Sequence, residues 1–223
     1  IDPIFKALKL GYPTSVEASA SVFVDDWNPL ANLGSAPNSS VIHFDFPGRE
    51  GMPPVQVTWY DGGLLPRRPA ELGEDEMLGD GDGGCLFVGS RGSLMCETYG
   101  RNPVLLPTSR MVDFEQPAPT LARVDGDTEG HQRVWVDACK GGPSCTSNFD
   151  YSGPLTEMVL MGNLALRSFM LSESVLDDRD REQTHYLGRK KLLWDGAAMR
   201  ITNLKDANQY VRREYREGWS LGV

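Results

Sequence analysis

Residues 148–167 read N-F-D-Y-S-G-P-L-T-E-M-V-L-M-G-N-L-A-L-R, and they decide how the second half of the chain is interpreted. Apolar residues recur at helical spacing from Leu155 through Met158 and Leu166 to Phe169. Such spacing places them on one face of an α-helix. The tripeptide Ser152-Gly153-Pro154 precedes the run, and proline is favoured in the first turn of a helix. The pattern therefore predicts a long amphipathic helix that opens at residues 152–154.

The first third of the chain carries the two-residue alternation of half-buried strands. In Val16–Val24 the even positions are apolar and share one face, and the other face carries Glu17, Ser19 and Ser21. The segments 41–46 and 55–60 alternate in the same way and are separated by Pro47-Gly48 and Pro53-Pro54. These two segments are predicted to form an antiparallel pair.

Two further strand pairs are predicted downstream. Cys85–Val88 and Ser93–Tyr99 flank Gly89-Ser90-Arg91-Gly92, whose glycines accept the positive φ of a tight hairpin. Leu192–Trp194 and Met199–Thr202 flank Asp195-Gly196, which is typical of a short hairpin.

Three more helices are predicted from caps and periodicity. They are Pro3–Leu10, which Gly11 and Pro13 would end, Glu129–Lys140, with His131, Val134, Trp135 and Ala138 on one face, and a terminal helix Asp206–Gly218. The stretches 66–84 and 103–130 are rich in proline, glycine and acid and are predicted to be long loops.

Strands that come first and helices that come later predict an α+β fold rather than alternating βαβ units. We expect one domain over residues 1–223, with a predominantly antiparallel, partly mixed open sheet, helices packed on one face and the other face exposed. We expect that exposed face to bear Tyr, His and Trp side chains, which a partner domain, a ligand or another subunit would shield. Residues 168–186 include the charged run Asp177–Arg181 and are predicted to be an insert.

Composition narrows the classes of partner. The chain has 223 residues, 40% hydrophobic content, a formal net charge of −9 and a pI near 4.9. Acidic proteins are poor ligands for phosphate backbones and anionic lipids, because counterion release needs clustered Lys and Arg. No window approaches the ~18 consecutive apolar residues that a membrane span needs. We therefore expect no nucleic-acid or membrane partner, and the localisation stays open.

Several short stretches resemble known functional motifs but lack the sequence context that those motifs need. Gly79–Gly84 matches G-x-G-x-x-G but precedes a strand, whereas a dinucleotide fingerprint follows one and opens a helix. The same tract and Asp125–Gly130 lack the terminal glutamate of a calcium loop. The three histidines have no spacing typical of a zinc site, and no nucleophile elbow is present. We expect no metal, and we expect the four cysteines to be free thiols, with a Cys139–Cys145 bridge left open.

Four motifs together carry a family resemblance. They are residues 148–167, L-L-W-D-G-A-A-M-R-I-T-N-L-K-D-A-N-Q-Y-V-R-R-E-Y-R-E-G-W at 192–219, M-P-P-V-Q-V-T-W-Y-D-G-G-L-L-P at 52–66 and G-G-C-L-F-V-G-S-R-G-S-L-M-C-E-T-Y-G at 83–100. The chain resembles, over nearly its whole length, the C-terminal domain of bacterial glucose-fructose oxidoreductase / inositol dehydrogenase / rhizopine-catabolism (Gfo/Idh/MocA) proteins.

The resemblance implies an NAD(P)-dependent oxidoreductase acting on a sugar or polyol. In that family an N-terminal Rossmann domain binds NAD or NADP and carries an E-K-P lysine. The second domain opens with D-x-x-x-H-x-x-D, and Ile1-Asp2-Pro3 resembles the tail of that stretch. Asp2 would then be its final aspartate, while the catalytic histidine, the lysine and the nucleotide site would lie outside this chain. The chain alone is expected to bind no cofactor and to be inactive.

The resemblance also implies where substrate binds. The pocket of such proteins lies between the Rossmann domain and the exposed sheet, which also builds a homo-oligomer. By position, the candidates for polar contacts to the substrate are Tyr99, Lys140, Asn148 and Tyr151, and each has an equal claim to be a structural turn residue.

Two other functions stay open. An NAD-dependent glycosidase of the same superfamily would carry a T-H-G-L-G-P type stretch where this chain has Ile1-Asp2-Pro3. A carbohydrate-binding or assembly module is the second alternative, because five Trp and seven Tyr suit stacking on sugar faces.

Overall fold

The computed structural model describes residues 1–30 and 34–219. The chain divides into two compact units, one of residues 1–8 and 67–154 and the other of residues 9–66 and 155–223. That residues 1–223 form one domain stays a prediction.

The helices and strands follow in chain order. The α-helices are α1 Asp2–Ala7, α2 Asp127–Cys139 and α3 Phe149–Ser168. The strands are β1 Ser15–Ala20, β2 Phe23–Asp25, β3 Asn28–Leu30, β4 Ser40–Phe46, β5 Val55–Tyr60, β6 Cys85–Gly89, β7 Gly92–Cys96, β8 Val104–Leu106, β9 Ser172–Leu176, β10 Glu182–Tyr186, β11 Leu192–Asp195 and β12 Arg200–Ile201. Short 3-10 helices span Thr98–Gly100, Thr108–Met111 and Lys205–Tyr210.

The second unit is built on a five-stranded sheet in the order β12-β11-β1-β4-β5, with every neighbouring pair antiparallel. In β4 the side chains alternate between buried and half-buried along the whole strand, as its sequence predicts. Register places Val16 opposite both Phe44 and Leu192, and all three are buried on the same face. This face forms the core, since each fully buried apolar side chain contributes about 1.5–3 kcal/mol.

Helix α3 covers that apolar face. Met158 and Met161 are fully buried, and a Cβ atom at Gly162 would lie 3.2 Å from Ile42 Cδ1 and 3.5 Å from the Phe44 ring. The indole nitrogen of Trp194 donates a 2.8 Å hydrogen bond to Glu157 Oε1 on the same helix. Gly162 thus lets the helix approach the sheet closely.

The first unit has its own smaller core. Strands β6-β7-β8 form an antiparallel sheet, and Leu72, Met95 and Leu106 pack together as its buried cluster. Strands β6 and β7 form the predicted hairpin, with Gly89 opposite Gly92. The fold is α+β with mostly antiparallel sheets, which confirms the predicted class. The four cysteines, all within the described residues, are free thiols.

Two predictions of element bounds were wrong. The predicted strand Val16–Val24 is two strands, β1 and β2, because the chain leaves the sheet at residue 21 and enters the β2–β3 hairpin. Helix α3 begins at Phe149 rather than at residues 152–154, because the Asn148 side chain caps it there. The predicted helix Glu129–Lys140 is present as α2, and its apolar face is exposed or half-buried, with Trp135 62% exposed. Helical spacing fixes which residues share a face, but not whether anything covers it.

The predicted terminal helix Asp206–Gly218 is also wrong. The segment forms the 3-10 helix Lys205–Tyr210, followed by turns and bends. The Asn208 amide donates to the carbonyls of Ile201 and Lys205, at 2.9 and 3.1 Å, and its oxygen accepts from the Ile201 N–H at 2.8 Å. Side chains that bond the local backbone compete with the helical ladder.

The segment 168–186 contains the β9–β10 hairpin, whose strand residues are almost all exposed. Asp177 organises its turn by accepting from the backbone N–H groups of Arg179 and Arg181. That this hairpin is an insert stays a prediction. Among the described residues, none of the helices combines the length and apolar character that crossing a bilayer requires.

Candidate functional site

Two of the predicted site residues meet in the first unit. Tyr151, in the first turn of α3, donates a hydrogen bond of 2.5 Å from its hydroxyl to Oδ1 of Asp2, in the first turn of α1. Asp2 is exposed and Tyr151 is half-buried. None of the hydrogen bonds that the described residues make uses Asp2 Oδ2. This second carboxylate oxygen therefore remains available as an acceptor.

Helix α1 also holds the ring of Tyr151. Phe5 contacts it edge to face, with the ring centroids 5.6 Å apart, and Lys6 Nζ lies 4.9 Å from the tyrosine ring centroid. Burial raises the pKa of the Tyr151 hydroxyl, and the hydrogen bond to Asp2 raises that pKa further. The phenol thus stays protonated at neutral pH and acts as a donor that orients Asp2, rather than as a base.

Tyr99 lies in a strained turn beside the same helix. Its φ is +62°, in the left-handed region that large side chains avoid, and its side chain is 86% exposed. A Cβ atom at the next residue, Gly100, would lie 3.3 Å from the Pro3 side chain. The turn that carries Tyr99 is therefore packed against the start of α1, next to Asp2. Strained residues held in place by their surroundings cluster at functional sites.

Asp80 holds this turn in place, and the sequence analysis did not identify it as a site residue. Its carboxylate accepts hydrogen bonds from the N–H and hydroxyl of Thr98, at 3.1 and 2.9 Å, and Arg101 lies 3.4 Å away. Desolvation by burial opposes ionisation of Asp80, but these hydrogen bonds outweigh it and lower its pKa. The available signal was the Asp-Gly dipeptide, since aspartate commonly bonds the backbone two residues on.

Asp80 also occupies backbone N–H groups of the glycine-rich tract Gly79–Gly84. Asp80 Oδ1 accepts from the backbone N–H groups of Asp82 and Gly83, at 3.1 and 3.0 Å. Those N–H groups bind an internal carboxylate and so are not offered to a pyrophosphate. Gly79–Gly84 leads into strand β6, not into a helix, so its geometry does not fit a dinucleotide site.

Asn148 has a capping role in the structure. Its Oδ1 accepts from the backbone N–H groups of Asp150 and Tyr151, at 3.1 and 3.3 Å, and its Nδ2 donates to the Cys145 carbonyl at 3.1 Å. Satisfying the free N–H groups of a first helical turn is the usual task of asparagine at this position. Asn148 thereby positions Tyr151, and direct contact of Asn148 with substrate stays a prediction.

Lys140 follows the last residue of α2. Its backbone N–H bonds the carbonyls of Val136 and Asp137, both at 3.1 Å, and its side chain is exposed. Within the described part of the chain, no interaction joins Lys140 to Asp2, Tyr99 or Tyr151. The structure thus groups Asp2, Tyr99 and Tyr151 around α1 and does not bring Lys140 to them.

A second polar surface lies on the sheet of the second unit, on the side opposite α3. Asp45 is its centre and accepts hydrogen bonds from Ser15 Oγ at 2.7 Å, Gln56 Nε2 at 3.1 Å and Lys191 Nζ at 2.6 Å. The hydrogen bond from Lys191 is the main reason that the pKa of Asp45 falls to about 2, with Ser15 and Gln56 adding to the effect.

Register places His43 and Tyr60 on this polar face as well. His43 Nδ1 lies 2.9 Å from the Thr58 hydroxyl, opposite it in the β4–β5 ladder, and both side chains are half-buried. The expectation that the open face also bears Trp was wrong, because Trp59 pairs with Ile42 and thus faces the α3 side, as Trp194 does. Residues that pair directly across two strands point to the same face of the sheet, and along one strand the side chains alternate between faces.

No grouping of three or more His, Cys, Asp or Glu side chains in residues 1–30 and 34–219 has the arrangement that a metal ion needs. Asp2, Tyr99 and Tyr151 offer a hydrogen-bond acceptor, an exposed aromatic ring and a phenol that donates to Asp2. Neither a protein-family model nor any curated protein matches this chain.

Proposed function

We propose that this chain is the substrate-binding and oligomerisation domain of an NAD(P)-dependent oxidoreductase that acts on a sugar or polyol. The observation that carries the proposal is the hydrogen bond between Tyr151 and Asp2. It joins two residues that the family resemblance places at the substrate side of such a domain. The nicotinamide cofactor would accept hydride and would be bound by a Rossmann domain outside this chain.

The geometry suits recognition of neighbouring hydroxyl groups. A carboxylate accepts hydrogen bonds only, and Tyr151 already satisfies one lone pair of Asp2. The remaining Asp2 oxygen can accept from a substrate hydroxyl while the Tyr151 hydrogen bond keeps the carboxylate from rotating. Tyr99 offers an exposed ring, and aromatic rings pack well on the apolar face of a sugar.

Exposed apolar side chains support the oligomerisation part of the proposal. The β2–β3 hairpin presents Phe23, Val24, Trp27 and Leu30, each at least 48% exposed. Several exposed apolar side chains on one short hairpin are typical of an interaction site. A second copy of this chain is the partner that the resemblance implies.

The proposal is tested on the longest natural polypeptide that contains this chain. Reduction of NAD and NADP is followed by absorbance with a panel of sugars and polyols, including glucose and myo-inositol. For the substrate that turns over, Asp2→Asn and Tyr99→Asn are expected to raise KM about tenfold each, because each loses a polar or stacking contact worth about 1–2 kcal/mol. Asparagine is chosen for Tyr99 because it tolerates left-handed φ.

Asp150→Asn is the matched control, since Asp150 is an exposed acid beside Tyr151 with the same charge. Its KM should stay within about twofold of the parent value. Sugar binding without any reduction of NAD or NADP would favour the carbohydrate-binding module, and NAD-dependent release of p-nitrophenol from a glycoside would favour the glycosidase. Equal KM values for Asp2→Asn and Asp150→Asn would contradict the role given to Asp2.

A further inference from the structure

A cleft of about 550 Å³ opens in the second unit between strand β12 and the 3-10 helix Lys205–Tyr210. Its charged lining consists of the cations Arg200, Lys205 and Arg212, and no acidic side chain lines it among the described residues. The chain carries a net charge of −9, so a cleft lined by three cations and no acid departs from the overall charge balance.

Two of these cations are not neutralised within the described chain. Arg200 Nε lies 3.6 Å from Asp195 Oδ2, in an exposed pair that is worth little because solvent screens it. Neither Lys205 nor Arg212 takes part in an ion pair with any described carboxylate. A cleft with low-dielectric walls and one sign of charge concentrates counter-ions of the opposite sign.

The floor of the cleft is rigid. The side chain of Asn208 makes two hydrogen bonds to the backbone of Ile201 and further ones to the carbonyls of Leu204 and Lys205. Ile201 is 3% exposed and Ala207 is fully buried, so the clamp is anchored in the core. The segments that carry Arg200 and Lys205 are thereby held together before any ligand arrives, which reduces the ordering cost of binding.

Besides the cations, the lining holds apolar side chains and the polar residues Thr202 and Asn208, whose side chains donate to backbone carbonyls. Ala198, Met199 and Val211 form part of the wall. Because the Asn208 amide is bonded to the backbone, the polar groups left to meet a ligand are chiefly the three cations. Guanidinium groups match the oxygens of phosphate in two-pronged hydrogen bonds, and a lysine ammonium adds a point charge.

We propose that this cleft binds the phosphate group of a small molecule. A phosphate dianion is matched by the three cations, of which Asp195 partly offsets one. The apolar wall has room for a small organic group attached to the phosphate, and free inorganic phosphate presents the same chemistry without that group. The site uses residues of the second unit only and is independent of Asp2, Tyr99 and Tyr151.

The test is isothermal titration calorimetry of the full chain at low ionic strength with inorganic phosphate, phenyl phosphate and phenol. We expect saturable binding of both phosphates at one site and none of phenol. A higher affinity for phenyl phosphate than for inorganic phosphate would assign the cleft to phosphate esters, and equal affinities would assign it to free phosphate. Lys205→Gln and Arg212→Gln should each weaken binding about tenfold, which corresponds to one charge-assisted hydrogen bond.

Two control variants make the same charge change outside the cleft. Arg213→Gln alters the immediate neighbour of Arg212, and Lys190→Gln alters an exposed lysine elsewhere in the unit. Both should weaken binding much less than the cleft variants do, because neither side chain lines the cleft and each acts on the ligand only from a longer distance. Absence of saturable phosphate binding, or equal weakening by the cleft variants and the control variants, would overturn the proposal.

Discussion

The hydroxyl of Tyr151 and Oδ1 of Asp2 lie 2.5 Å apart although 149 positions separate the two residues in the sequence. The hydrogen bond ties the first turn of α1 to the first turn of α3, and Phe5 packs edge to face on the same tyrosine ring. One tyrosine therefore serves both packing, through its ring, and polar recognition, through its hydroxyl.

Replacing Tyr151 by Phe separates these two roles. The Phe5 contact should survive while the hydrogen bond to Asp2 is lost, so we expect Tyr151→Phe to lower the free energy of unfolding by about 1 kcal/mol in urea at pH 7. Since the Tyr151 pKa is raised in the folded state, the hydrogen bond stabilises the fold below pH ~10 and weakens as the pH rises further. Asp2→Asn, which keeps an acceptor oxygen, should cost less than Tyr151→Phe. A larger loss for Asp2→Asn would contradict this assignment.

The elements of the sheet were predictable from sequence because periodicity reports local geometry. Alternation identified β4 and β5, and the Gly89–Gly92 tetrapeptide identified the β6–β7 hairpin. The terminal helix was mispredicted because Asn208 bonds the backbone of Ile201, a contact that depends on how two segments meet in space. Composition and spacing carry no information about such a contact.

The candidate site likewise contains residues that the sequence indicated and one that it did not. The resemblance named Asp2 and Tyr151, and the structure joins them. Asp80 was overlooked because its role is to accept from Thr98, 18 positions away, and a single aspartate in a glycine-rich loop does not indicate a partner at that distance. Long-range polar contacts of this kind follow from the fold and not from the local pattern.

The ionisation of Asp45 should make the free energy of unfolding depend on pH in the acid range. Its pKa falls from an ordinary value of 3.8 to about 2, chiefly through Lys191. A carboxylate with a lowered pKa stabilises the fold above its unfolded-state pKa, and this stabilisation is lost as the pH falls toward 2. We expect a loss of about 1 kcal/mol between pH 5 and pH 2.5, after allowing for solvent screening of this partly exposed pair.

Asp45→Asn is the variant that isolates this effect. The free energy of unfolding in urea should change less with pH for the variant than for the parent over the same interval, because the titrating group has been removed. Lys191→Met should raise the Asp45 pKa toward its ordinary value and move the loss of stability to higher pH. Identical pH profiles for the parent and Asp45→Asn would show that other carboxylates dominate the acid range.

Gly162 should tolerate no β-branched side chain. A Cβ atom there meets Ile42 and Phe44 at 3.2 and 3.5 Å, so Gly162→Val forces α3 away from the sheet and should destabilise the fold by about 2 kcal/mol. Gly153→Ala in the same helix is the control, because a Cβ atom at Gly153 has no other atom within 4 Å. The control should gain about 0.5–1 kcal/mol from helix propensity. Thermal unfolding midpoints that move in the same direction for both variants would contradict the close approach.

Trp27 gives a test of self-association that does not depend on the Asp2 and Tyr151 pair. It lies at the tip of the β2–β3 hairpin, 93% exposed, and both turn residues, Asp26 and Trp27, have positive φ, at 42° and 66°. Two-residue turns with positive φ at both positions favour glycine at the second. A large aromatic side chain at that position costs about 1–2 kcal/mol of strain, so a binding role would account for its presence.

Trp27→Gly removes the side chain and suits the turn. Relief of strain should offset the added chain entropy of glycine, so the free energy of unfolding should change by less than about 1 kcal/mol. Light scattering at tens of micromolar should show an oligomer for the parent chain and a smaller mass for the variant. Trp135→Ala, at an exposed position of α2, is the matched control and should leave the mass unchanged. A monomeric parent, or an oligomer insensitive to Trp27→Gly, would exclude this hairpin as the contact between copies.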